Sequence, residues 1–199
     1  MIFEDEGQKI GKHTSKNSYW KNHGVEVVRV PLPCGDYVKA NEKILDVLKR
    51  KQERGLKPKK MDFLGTYDVA IDTKFSIQEL VGDICGKQHE RFRDECILAQ
   101  NNGIQLYVLV QNDIECVSKK HDLYNYPIHD LKQLHRWVNK RLWIRKNGKQ
   151  VYPKATRGIT LMKACYSMEK KYDVKFLFCT TQEAGAKVLE ILGVDKDVK

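Results

Sequence analysis

Apolar and polar positions follow one another along this chain in a recurring helix-and-strand rhythm. Residues 1–4 predict a short strand, and residues 14–23 a helix stopped by Gly24. The β-branched run 25–30, closed by Pro31 and Pro33, predicts a second strand, and residues 35–38 another short extended piece. In 41–54 the apolar residues Ile44, Leu45, Val47 and Leu48 recur among lysines at helical spacing, ahead of Gly55. A basic loop around Pro58 follows, then a strand at 67–72. Ser76-Ile77-Gln78-Glu79 has the capping-box pattern, which predicts a helix start. Gly86 interrupts that helix, and it resumes over 89–100 until Asn102-Gly103. Residues 104–110 are almost wholly apolar and bounded by turn residues, the pattern of a buried strand. Helices are predicted near 130–140 and 158–171, a strand at 175–179, and a last helix at 182–192 closed by Gly193. The alternation predicts an α/β architecture, a sheet covered by helices on both faces.

Composition narrows the class. The chain has 199 residues, 41% apolar and 31% charged, which suits a single domain with its own core and excludes collagen-like and disordered chains. Apolar runs such as 106–110 are far too short to span a bilayer, so no membrane association is expected. The opening Met-Ile-Phe-Glu-Asp-Glu lacks the features of a signal peptide, and the six cysteines include no Cys-x-x-Cys pair. Reduced thiols in a cytoplasm, bacterial or phage-infected, are the expectation.

Charge points to the partner. Thirty-six Lys and Arg against 26 Asp and Glu give +10. The excess is unevenly spread: residues 131–168 contain no Asp or Glu but ten Lys and Arg, with Trp137, Trp143, Tyr152 and Tyr166 interleaved. A solvated helix face normally mixes signs, so this stretch reads as a phosphate-facing surface with stacking platforms beside the cations. Trp137 and Trp143 are themselves expected to pack rather than to stack on bases.

Three polar residues stand where strands end. Asp36 follows Pro-Cys-Gly, and Asp72 and Lys74 close the strand at 67–72. Side chains alternate along a strand, so 72 and 74 share a face. Should the Asp36 segment pair beside them, two carboxylates and an ammonium meet at one sheet edge. Carboxylate oxygens of this kind hold Mg²⁺, and a lysine beside them neutralises charge that develops on a phosphoryl group.

The residues around this trio resemble the nuclease domain of the XPF/Mus-type structure-specific endonucleases, whose signature is Gly-Asp, a spacer, Glu-Arg-Lys, three residues and Asp. Leu32-Pro33-Cys34-Gly35-Asp36-Tyr37-Val38 is similar to the Gly-Asp segment, and Ile71-Asp72-Thr73-Lys74 to the Glu-Arg-Lys block. Glu90-Arg91-Phe92-Arg93-Asp94-Glu95 resembles the family's Arg-Phe-x-x-Gln helix, and the segment from Phe178 to Ala186 its last strand and helix. The resemblance implies a restriction-endonuclease-like mixed central sheet, flanked by helices on both faces, that cuts branched DNA (flaps, forks or junctions) with Mg²⁺ or Mn²⁺. It implies Asp36 and Asp72 as catalytic metal ligands and Lys74 as the catalytic cation. Glu4 is an implied third metal ligand, with Asp5 an equal alternative. Relatives pair through their nuclease domains, so a homodimer is implied too.

This sequence departs from the family pattern at three places. Asp72 replaces Glu, Thr73 replaces Arg, and Gln78 stands where the final Asp is expected, with Glu79 beside it. These changes motivate an alternative, a catalytically inactive DNA- or partner-binding module of the same fold. A third reading, an RNA-binding or RNA-cleaving protein, rests on the basic, aromatic extension. The chain is read as one nuclease domain, 1–199, with a basic insertion at about 39–66 and a basic extension at about 119–172. The insertion reads either as a flap over substrate phosphates or as a solvated amphipathic helix. Six residues follow Gly193, fewer than a helix-hairpin-helix module needs, so duplex binding is expected to fall to the acid-free stretch. The expected DNA contacts are Lys57, Lys59, Lys60, Arg91, Arg93, Arg145, Lys146, Lys154 and Arg157. The expected substrate is branched or partly single-stranded.

Overall fold

A computed structural model describes residues 1–9, 11 and 14–194. Its centre is a six-stranded mixed sheet made of β1 (Ile2–Asp5), β2 (Val27–Val30), β3 (Tyr37–Lys39), β4 (Val69–Lys74), β5 (Gln105–Gln111) and β10 (Lys175–Cys179). Across the sheet the order is β10-β5-β4-β3-β1-β2. The short strand β3 runs antiparallel to both neighbours, whereas β4, β5 and β10 are mutually parallel.

Period-two alternation divides the strands between two cores. Phe3, Val38, Ala70, Val108, Val110, Phe176 and Phe178 face one way. They meet α3 (Ile77–Cys85), α4 (His89–Asn101) and α5 (Gly158–Tyr172), together with Ile44 and Val47 of α2 (Glu42–Glu53). Ile2, Tyr37, Ile71 and Leu109 face the other way, against Trp20 of α1 (Thr14–Asn22) and Val188 and Leu189 of α6 (Ala184–Leu192). Helices therefore cover both faces, as the alternating pattern predicts. Close approach of α1 to α6 depends on Gly185, where a Cβ would come within 2.9 Å of the Tyr19 side chain. Trp20 seals the contact by donating its indole N–H to the Gly185 carbonyl at 2.9 Å. Among the described residues, no helix is long and apolar enough to cross a membrane.

Local signals account for most of the helix ends. Asn41 caps α2 by accepting from the Ile44 N–H. Ser76 Oγ accepts from the Glu79 N–H, while the Glu79 carboxylate accepts from the N–H of Phe75 rather than of Ser76, so the capping box closes one residue early.

The extension differs from its sequence reading. Instead of one helix near 130–140 there are two 3₁₀ segments, Leu131–Arg136 and Lys140–Trp143. Tertiary contacts override the helical pattern here. Asn125 clamps Val138 through both of its backbone groups, at 2.8 and 2.9 Å, and holds the chain extended between the two segments. Two small hairpins also went unpredicted: β6 (Glu115–Ser118) with β7 (Leu123–Asn125), and β8 (Arg145–Lys146) with β9 (Lys149–Gln150). The second has a readable signal. Asn147 and Gly148 both have positive φ, as a two-residue hairpin turn requires. Trp137 is buried as expected, but Trp143 is 36% exposed and lies against the His121 ring.

Candidate active site

Asp36 is delivered to the sheet by a clamped turn. Gly35 has φ +75°, and a Cβ there would lie 2.8 Å from that of Ala70, so only glycine lets the chain pass so close to β4. Glu95 accepts from the Gly35 N–H at 3.0 Å, and the Tyr67 hydroxyl donates to the Cys34 carbonyl at 3.0 Å. The antiparallel pairing of Tyr37 with Ile71 then sets Asp36 beside Asp72, and the Asp36 N–H donates to the Ile71 carbonyl at 2.7 Å.

Around this crossing the charges interlock. Lys74 Nζ lies 2.6 Å from Asp72 Oδ2 and 2.9 Å from Asp83 Oδ2, and over the Phe92 ring at 5.1 Å. Arg91 approaches the other Asp83 oxygen at 3.4 Å. Asp36 Oδ2 accepts from the Thr73 N–H at 2.8 Å and from its hydroxyl at 2.6 Å, and Asp36 Oδ1 accepts from the Gln8 side chain. From the opposite face, Lys16 of α1 donates to the same Thr73 hydroxyl at 3.2 Å while lying over the Tyr37 ring. Asp36, Asp72, Lys74, Glu79 and Arg91 line a small cavity of about 230 Å³.

Burial governs the titration of these groups. Desolvation pushes Asp72 up to about 6 despite Lys74, and the neighbouring Asp36 raises it further. Desolvation likewise raises Asp36, against the hydrogen bonds from Thr73, and raises Glu95, where the nearby Asp72 adds to it. Burial would lower Lys74, but the Asp72 and Asp83 carboxylates outweigh it and hold the ammonium above its ordinary value. Lys16 has no such close carboxylate among the described residues, and burial brings it down to about 8.

The structure brings Asp36, Asp72 and Lys74 together, as the strand-parity argument requires, and leaves Glu4 out. Glu4 accepts from the Tyr37 hydroxyl at 3.1 Å, pairs with Arg29 at 3.3 Å and lines a different cavity. Strand alternation is the reason, because Glu4 shares the sheet face of Ile2 and Tyr37. Asp5 is no substitute: it accepts from the Leu32 N–H and stands 3.7 Å from Lys60. Two hard carboxylates nonetheless fit a magnesium or manganese ion, which commonly takes one or two carboxylates and completes its shell with phosphate oxygens and water. Asp72 Oδ2 meets Lys74 as an ion pair without a well-directed hydrogen bond, so acceptor capacity remains there. Among the described residues, no group of three or more His, Cys, Asp and Glu converges as a full ligand set.

Of the expected DNA contacts, Arg91 stands at the cavity rim with its side chain 62% exposed. Arg93 pairs with Asp94 at 2.8 Å. Lys57, Lys59 and Lys60 are exposed and do not line the cavity; the insertion folds as α2 with Ile44 and Val47 in the core. Arg145, Lys146, Lys154 and Arg157 are all exposed on the extension. Sequence reading missed three residues. Asp83 supplies the second carboxylate to Lys74 where Gln78 does not, and its signal is an acid inside the apolar helix face of Ile77, Leu80, Val81 and Ile84. Lys16 sits one turn from the buried Trp20 on α1, which was its signal. Glu95 occupies the position of the family's final Gln in the helix resembling Arg-Phe-x-x-Gln.

Comparison with known proteins agrees with this fold. The chain superposes on XPF from Aeropyrum pernix with a TM-score of 0.53 at 10% identity, covering 100% of this chain and 68% of that one. Against the same protein in complex with DNA the TM-score is 0.52 at 8% identity, covering 98% of this chain and 64% of that one. No curated protein matches it in sequence. Residues 6–192 match the ERCC4 domain. With that match across nearly all of its length, the chain belongs to the ERCC4-domain family, the nuclease-domain family that its Gly-Asp and Asp-Thr-Lys motifs resemble.

Proposed function

We propose that this protein is a metal-dependent endonuclease that hydrolyses phosphodiester bonds in branched DNA. The observation that carries the reading is the meeting of Asp36 and Asp72 with the ion-paired Lys74 in one small cavity where the two middle strands of the sheet, β3 and β4, meet. Asp36 and Asp72 would hold Mg²⁺ or Mn²⁺, which when bound supplies Lewis acidity to the scissile phosphate and its attacking water. The rest falls to the chain itself. Lys74 is no general base, because Asp72 and Asp83 keep it protonated; it stabilises negative charge developing on the phosphoryl oxygens. Thr73 fixes the orientation of Asp36 with two hydrogen bonds, and Lys16 holds Thr73 in turn. Arg91 at the rim is placed to meet an incoming phosphate.

The direct test is incubation with labelled flap, fork, junction and linear duplex DNA in Mg²⁺ or Mn²⁺, with Asp36→Asn, Asp72→Asn and Lys74→Ala in parallel. Cleavage of the branched substrates by the wild type alone supports the reading; equal cleavage by the variants overturns it. The inactive-module alternative draws on one observation, the closeness with which Lys74 already engages Asp72. It predicts salt-sensitive DNA binding indifferent to EDTA, and no scission with any divalent ion.

A further inference from the structure

A further cavity, of about 690 Å³, opens along α3 from Gln78 to Cys85, between that helix and the segment 151–156. It adjoins the candidate active site closely. Gln78 lines it while Glu79 lines the carboxylate cavity, and Gln88 lines it while Arg91, one helical turn on, lines the other. Its wall carries three cations, Lys87, Arg141 and Lys154, and no Asp or Glu. Tyr152 presents a ring that is 46% exposed, with the Arg141 guanidinium 5.8 Å from its centroid. Val81 and Pro153 add apolar surface. Gln78, which lines both this cavity and the neighbouring one beside Asn112 and Tyr126, carries an Oε1 that is buried and has no hydrogen-bond partner among the described residues.

We infer that this cavity takes one unpaired nucleotide of a DNA strand whose neighbouring phosphate lies at the carboxylate site. The inference rests on the nuclease reading for its geometry and goes beyond it in assigning a pocket, separate from the carboxylate cavity, to one splayed base. Each component of a nucleotide has its counterpart. Cations without competing carboxylates suit the phosphate, and an aromatic ring backed by guanidinium suits the face of a base. Turned into the cavity, the unpartnered Gln78 carboxamide oxygen suits an exocyclic amino group, which adenine, cytosine and guanine carry and thymine lacks. A cavity of this size admits a splayed base but not a duplex, whose base edges stay stacked inside it. The acid-free stretch thereby acquires a specific role, because Arg141, Tyr152 and Lys154 all belong to it.

The experiment is equilibrium binding by the full chain in EDTA, so that no cleavage is required. The probes are a fork carrying 2-aminopurine in its unpaired arm beside the branch, and a blunt duplex. Tyr152→Ala should weaken fork binding about tenfold, change duplex binding less than about twofold, and relieve quenching of the 2-aminopurine. Tyr152→Phe should keep both affinity and quenching. Gln78→Leu should erase a preference for dA or dC over dT at the position next to the branch. Tyr152 is half-exposed, so unchanged circular dichroism is expected of its variants. Equal loss of fork and duplex affinity in Tyr152→Ala, or quenching that persists there, would overturn the inference. So would tighter Tyr152-dependent binding of a matched single-stranded RNA. Tyr152-dependent fork binding without scission in any metal would sink the nuclease reading and spare the nucleotide pocket; scission with no Tyr152 effect would do the reverse.

Discussion

Two charged regions of this molecule work in opposite ways. At the meeting of β3 and β4 in the middle of the sheet the charges are buried: Lys74 is 3% exposed, Lys16 2% and Asp72 5%, and each lies within hydrogen-bond or ion-pair distance of a named partner. On the extension, Arg145, Lys146, Lys154 and Arg157 are exposed. Burial makes a charge specific, because its orientation is locked and its protonation shifts with each neighbour. Exposure leaves a charge additive, screened by salt, and useful for holding a polyanion.

Experiments can break or sharpen that contrast. The largest effect is expected at Asp72. Asp72→Asn should lower cleavage of branched DNA by about a hundredfold or more while leaving binding in EDTA largely intact, read by paired cleavage and anisotropy assays. Loss of both together would mean that the buried cluster serves binding alone.

Lys74→Met should be the most destabilising single change in the site. It leaves Asp72 and Asp83 without their shared cation, at a cost of about 3 kcal/mol in urea denaturation at pH 7. Adding Asp83→Asn to it should recover part of that loss.

The third test uses pH. A carboxylate raised to about 6 must ionise before it can serve as a metal ligand, so cleavage should rise as pH climbs through about 6 at limiting Mg²⁺. The limb should move to lower pH at saturating Mg²⁺, because metal binding competes with the proton. In the metal-free protein the sign for stability is opposite. The folded state holds the Asp72 proton where the unfolded chain has released it, so this group's contribution to stability falls between about pH 4 and 6.

Lys16 gives the reverse sign. Its folded value of about 8 lies below the ordinary 10.5, so the folded state binds fewer protons in that window and gains stability as pH rises through it. The stability difference between Lys16→Met and wild type, variant minus wild type, should therefore shrink from pH 8 to 10.5. A flat difference would mean that Lys16 is not desolvated as described.

The smallest effect belongs to the exposed side. Arg145→Ala with Lys146→Ala should weaken DNA binding only several-fold at moderate salt and reduce the slope of log affinity against log salt by about two.

How much of this was legible in the sequence varies with the range of the interaction that settles it. The sheet strands and the helices with local caps were readable, because alternation, capping by Asn41 and Ser76, and glycine stops act within a few residues. Strand parity already aligned Asp72 with Lys74, and the Gly-Asp turn marked Asp36. The helix expected at 130–140 failed because Asn125, well away in sequence, holds Val138 extended. Glu4 stands apart from the trio, on the face of β1 that meets Tyr37 and Arg29; alternation fixes that it shares a face with Ile2, but only pairing with β3 decided which face looks toward Asp72.

Local order along the chain thus determined the α/β class, the family motifs and the two carboxylates with their lysine. Tertiary structure alone decided that Asp83 completes the cage around Lys74, that Lys16 reaches Thr73 from the opposite face, and that the acid-free stretch walls a cavity beside α3. The physical reason is one of distance. Periodicity and capping are fixed by neighbours one turn away, whereas the partner of a buried charge is whichever group the packed core brings within about 3 Å, however distant in sequence.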